Sequence, residues 1–233
     1  MIGRIFLAAI AAGLLAGVFV SGAQMLKVVP LIHMAETYEN ADVQPHSHEH
    51  TANAGHSHEH GMAESWAPED GFERIAYTTL TNIIIGAGFA LLIAAGMTMH
   101  GQVTDWRRGL IWGASGFLAF SFLPALGLPP ELPGMAAGDL TGRQIWWLMT
   151  AASSACGIAL IAFAGNWPLR FLGAIMLSIP HLVGAPHPSE YSGSVPAELA
   201  AQFVSASLVT AGLFWLLLGG LTGHFFGRSL QSE

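Results

Sequence analysis

The chain has 233 residues, of which 52% are hydrophobic and only 10% charged, with a mean hydropathy of +0.51. That composition excludes an ordinary soluble domain, and a net charge of −7 offers no basic surface for nucleic acid. A hydrocarbon core about 30 Å thick takes roughly 20 apolar residues per helix, so the chain has room for about six spans and little else.

The first apolar run, 5–26, carries no charge between Arg4 and Lys27. It is longer than the about 7 to 15 residues of a signal-peptide core and reads as a retained span. Small residues at Ser21, Gly22 and Ala23 leave a cleavage reading open, and in either case the segment that follows is exported.

That segment is polar as far as Phe72, and within it residues 44–61 read QPHSHEHTANAGHSHEHG, with the unit HSHEH written twice. His46, His48, His50, His56, His58 and His60 set imidazoles at alternate positions, with Glu49 and Glu59 beside them. Such nitrogen and oxygen donors on a tether suit divalent first-row metals better than a packed core. The flanking Ala, Asn, Thr and Gly residues impose no geometry, so a disordered external loop over 40–66 that captures metal weakly and releases it readily is expected. Below the ordinary imidazole value of about 6.5 its ligands protonate and binding fades. A solvated linker without a metal role is the plainer alternative.

Further apolar runs follow at 75–99, 110–126, 145–163, 167–183 and 199–225, which predicts an all-α, polytopic transmembrane helix bundle of six spans in one membrane domain, 1–233. The fifth is short, has Arg170 near its start and contains Pro180, so a five-span arrangement with a re-entrant segment stays open. With a cytoplasmic amino terminus, Arg4, Arg107, Arg108, Arg170 and Arg228 fall inside and Lys27, Arg74 and Arg143 outside, a five-to-three bias that favours six. Nine carboxylates against two cations lie between Lys27 and Ala76, so seven net negative charges sit on one outward loop. That loop concentrates cations within about a Debye length, near 8 Å, of the membrane surface.

Gly13 and Gly17, like Gly219 and Gly223, form GxxxG pairs that read as helix packing. Trp106, Trp146, Trp147 and Trp167 fall at expected span ends and read as headgroup anchors. Cys156 is the single cysteine and lies in an apolar run, which rules out an intrachain disulfide or a thiolate cluster.

A selective transport site needs donors on firmer backbone, and the outward span ends supply candidates. His33 and Glu36 share a helix face just beyond the first span, with Glu39 the next acid along. The segment PHLVGAPH brings His181 and His187 to the end of the fifth span, with Glu190 beyond. LPPELPG between the third and fourth spans cannot continue a helix and presents Glu131, whose plainer reading is a carboxylate paired with Arg143. His33, Glu36, Glu131, His181 and His187 are therefore the candidate transport set, fit for cobalt, nickel or zinc. For His181 the plainer reading is a satisfied interfacial histidine. On the inner side, His100 and His224 read as interfacial residues, or as an exit site. No phosphate-binding GxxxxGK[ST] loop, HExxH or recognisable nucleophile arrangement is present, so neither nucleotide-driven transport nor an enzyme is expected. No resident cofactor is expected either, the metal being cargo or ligand.

The stretches MIGRIFLAAIAAGLLAGVFVSG and VVPLIHMAETYE, then DWRRGLIWG, LPPELPGM with AGDLTGRQIWW, and PHLVGAP with PAELAAQFVSASL resemble the CbtA family of predicted cobalt transporter subunits over nearly the whole chain. The resemblance implies an integral membrane protein of cobalt uptake and cobalamin synthesis, working with a small single-span, histidine-bearing partner, CbtB. The family is usually described with five spans, and the difference from six concerns 167–183. The doubled HSHEH then looks like an embellishment of a variable first loop. The expectation is thus a multi-pass protein of the inner (cytoplasmic) membrane that takes up a divalent metal, cobalt foremost, with its histidine loop facing outward. The alternatives are a nickel or zinc transporter, or a sensor or buffer that binds external metal without moving it.

Overall fold

The computed structural model describes residues 2–42, 68–69, 71–101, 105–188 and 193–231. The six loop histidines and Glu190 lie outside these residues. Apart from one isolated antiparallel bridge between Met135 and Gly193, the regular elements among the described residues are helices.

α1 (Ile2–Lys27) and α2 (Val29–Asp42) are nearly continuous. Pro30 has no N–H to give to Leu26, so the ladder restarts on the Val28 carbonyl, which accepts from Leu31 and Ile32 at 3.1 and 3.2 Å. α3 (Phe72–His100) ends where Gly101, at φ 69°, closes the last turn by donating to the Met97 and Thr98 carbonyls. α4 (Trp106–Phe117) opens on Asp105, which accepts the Arg108 N–H at 2.9 Å. It runs on through a π-helical turn (Leu118–Phe122) into α5 (Leu123–Ala125). Pro124 explains the turn: it cannot donate to the Phe120 carbonyl, and Leu123 bonds five residues back to Leu118. α6 (Leu140–Phe163) and α7 (Trp167–Val183) are capped by Asp139 and Asn166, and α8 (Ala197–Gln231) closes the chain.

α1, α3, α6 and α8 are each long and apolar enough to cross a membrane. α7 has 17 residues, and the α4–α5 rod has twelve, five and three in its parts, about 30 Å in all. The protein is therefore a polytopic helical membrane bundle, with four full-length helices and two shorter segments where the sequence predicts six spans.

α1 packs on α3 and α8, α4 packs on α8, and α6 pairs with α7 and reaches the rest chiefly through the π turn. The glycine pairs do pack helices: a Cβ at Gly13 would stand 2.3 Å from the Ala87 nitrogen, and one at Gly219 2.3 Å from the Gly109 carbonyl oxygen. A small-residue core of Ala9, Ala12, Ala16, Ala90 and Ala94 lets Met97, Phe214, Trp215 and Leu218 fill the space between α1, α3 and α8. Trp146 departs from the anchoring expectation. It is buried and donates Nε1–H to the Pro180 carbonyl at 3.3 Å, joining α6 to α7, whereas Trp106, Trp147 and Trp167 are exposed as expected.

Candidate functional site

One end of the bundle gathers α2, the start of α3, the α5–α6 connection and the α7–α8 connection. Val28, Ala35, Leu132, Leu199 and Phe203 form a second apolar cluster there, tying α2 to the LPPELPG turn and to α8. A Cβ at Gly134 would lie 3.4 Å from that of Glu39, and one at Gly138 3.0 Å from the Pro186 oxygen. His33, Glu36, Glu131, His181 and His187 are consequently all at this end, the outward one in the expected topology.

At α2, His33 Nδ1 and Glu36 Oε2 are 2.9 Å apart, the i to i+3 contact foreseen from their spacing. Arg74, at the head of α3, donates to the other Glu36 oxygen at 3.2 Å. The His33 hydrogen bond foremost, with the Arg74 guanidinium adding to it, holds the Glu36 carboxyl below its ordinary range against the opposing desolvation.

Glu131, half-buried on the proline-rich turn, accepts a short hydrogen bond from Arg143 Nη2 in the first turn of α6. The plainer sequence reading of Glu131 is thus what this conformation holds. The pair borders a cavity of about 560 Å³ that also takes in Ser121, Gln144 and Ser207.

His181 sits in the last turn of α7, its ring edge-on to Trp146 at 6.0 Å. Its Nε2 is buried with no hydrogen-bond partner among the described residues. Pro180 beside it deprives the Met176 carbonyl of its helical donor, and Ser153 Oγ from α6 takes that place at 2.6 Å. His187 is exposed in the segment that follows α7, whose backbone lies against Gly138.

The donors thus share a rim but stand apart as His33–Glu36–Arg74, Glu131–Arg143 and His181–Trp146. Among the described residues no group of three or more His, Cys, Asp or Glu is arranged to hold a metal ion. At the opposite end the His100 ring lies tilted against Phe163 at 4.8 Å, and His224 lies against Phe225.

Sequence reasoning used Arg74 only for topology and passed over Asn82, Gln24, Ser121 and Trp215. Asn82 Nδ2 donates to Ser21 Oγ at 3.0 Å and Gln24 Oε1 at 2.7 Å, and Trp215 Nε1 donates to Ser121 Oγ at 3.0 Å. An amide inside the run 75–99 was the available signal, since polar groups at membrane depth are costly unless satisfied. A second cavity of about 200 Å³ borders Gln24, Asn82, Ser121, Ser207 and Thr210.

No curated protein and no solved structure is significantly similar to the chain. The family described as "Probable cobalt transporter subunit (CbtA)" matches residues 2–227, and with nearly its whole length covered the chain belongs to that family.

Proposed function

We propose that this subunit carries a divalent transition metal, cobalt foremost, inward across the inner (cytoplasmic) membrane. The outward loop with His46, His48, His50, His56, His58 and His60 captures the ion, and the rim bearing His33, Glu36, Glu131, His181 and His187 receives it. The observation that carries this reading is the gathering of those five rim residues at one end of a membrane bundle whose family is that of a cobalt transporter subunit. As a subunit the chain works with a partner, and a small single-span, histidine-bearing protein of CbtB type is the partner proposed. Energy then comes from a gradient, the membrane potential or that partner.

The ion pairs made by Glu36 and Glu131 favour one other reading, a sensor or buffer in which only the loop binds metal. Uptake of labelled cobalt, nickel and zinc into cells carrying the chain and its partner separates the two. Cobalt accumulation above vector controls is expected; binding to membranes without accumulation would leave the buffer.

A further inference from the structure

Three cavities follow one another through the bundle. The outer one, beside Glu131, and the central one, beside Asn82, share Ser121, Ser207 and Ala211 as walls. A third, of about 490 Å³, lies between α3, α4 and α6 and reaches His100 and Arg108 at the inner end. Among the described residues it shares three aromatic walls with the other two: Phe89 and Trp215 with the central cavity and Phe120 with the outer one.

These three rings are in mutual contact. Phe120 stacks on Trp215 at 5.7 Å and 14°, while Phe89 stands 4.6 Å from Trp215 and 5.1 Å from Phe120. Local structure holds the cluster in place. A Cβ at Gly116 would come 2.2 Å from Trp215 Cζ3, so the missing side chain makes room for the indole. The indole N–H is held by Ser121, which like Phe120 lies in the π-helical turn imposed by Pro124. The inner cavity is walled mainly by apolar side chains, with Ser115, His100 and Arg108 as its polar groups. An apolar constriction between two cavities is how a membrane protein interrupts an ion path, because a narrow aromatic neck does not wet. Hydroxyl and amide groups of Gln24, Asn82, Ser121, Ser207 and Thr210 on the outer side are what a hydrated cation would find above such a neck.

We infer that the cation's route is this chain of cavities along the α4–α5 rod, beside α8 on the outer side and between α3, α4 and α6 on the inner, and that Phe89, Phe120 and Trp215 are the barrier that closes it toward the inner side. The inference rests on the transport reading for its cargo, but its test needs no metal. Single cysteines at Ser207 and Ser115 are placed in the full-length chain with Cys156→Ser, and membrane-impermeant maleimide is applied to right-side-out and inside-out vesicles. Ser207→Cys should react only from the outside and Ser115→Cys only from the inside. Adding Trp215→Ala, or Phe120→Ala if that chain fails to insert, should expose Ser115→Cys to the outside, whereas Trp215→Phe should not. Reaction of Ser115→Cys from outside with the three rings intact would overturn the barrier. So would its continued protection in both alanine variants, or a Ser207→Cys inert from both faces. Loss of cobalt uptake with this labelling pattern intact would remove the transport reading alone.

Discussion

Glu131 and Arg143 are ion-paired across the turn that leads into α6, with both side chains half-buried at the edge of the outer cavity. A carboxylate in that position is either an entry ligand masked by a cation or a brace for the LPPELPG turn, and the two roles separate by charge exchange. Glu131→Gln should weaken apparent cobalt affinity about tenfold to a hundredfold, the equivalent of losing one charged hydrogen bond of about 1.5–3 kcal/mol. Exchanging the pair as Glu131→Arg with Arg143→Glu should restore thermal stability in detergent but not uptake. Uptake recovered by the exchange would make the pair a brace.

Glu36 links α2 to α3 through His33 and Arg74, and its lowered pKa fixes the direction of the pH effect. A carboxyl depressed in the folded state stabilises fully above its ordinary value and loses that contribution as pH falls through the lowered one. Thermal scans of wild type and Glu36→Gln should therefore differ at neutral pH and converge in acid below the ordinary carboxylate range. With Arg74 and Glu36 partly exposed the difference should stay within about 1 kcal/mol. A gap that widens in acid would contradict the assignment.

The histidine loop makes a prediction about kinetics. Deleting 44–61 should leave the maximal uptake rate unchanged and raise the cobalt concentration needed to reach half of it. Wild-type affinity should fall as pH drops through about 6.5, where imidazoles protonate, and the deletion should lack that dependence. Complete loss of uptake in the deletion would instead make the loop part of the route.

Ser153 and Pro180 are coupled through the Met176 carbonyl, which Pro180 leaves without a helical donor and Ser153 satisfies. Ser153→Ala should destabilise the α6–α7 hairpin by about 0.6 kcal/mol, the average for hydrogen bonds between membrane helices. In a Pro180→Ala background, where a backbone N–H returns, the same change should cost less. A double-mutant cycle on detergent-solubilised protein measures the difference, and strict additivity would refute the coupling.

Much of the bundle is visible without coordinates because lipid imposes a simple rule: apolar runs of sufficient length become helices, and the runs at 5–26, 75–99, 145–163 and 199–225 all did. The contact of His33 with Glu36 and that of Glu131 with Arg143 were also readable, since the first follows from helical spacing and the second from opposite charges flanking one turn. Arg74 on Glu36 was not, because the two residues are distant in sequence and only the antiparallel packing of α1 on α3 brings them together. Trp146 misled for a related reason. Position near a span end suits an indole to headgroups, but the neighbouring α7 offered its Pro180 carbonyl and covered the ring.

By itself the sequence determined that this chain is a membrane-embedded helical bundle whose surplus negative charge falls between Lys27 and Ala76 and six of whose eleven histidines fall in 46–60, because hydropathy and charge are local properties of residues. Only the tertiary structure decided that Arg74 pairs with Glu36 and that Phe89, Phe120 and Trp215 meet at one neck. Those relationships depend on how the glycine faces of separate helices let them approach, which no one stretch of chain encodes, even though the π turn before Pro124 is itself local.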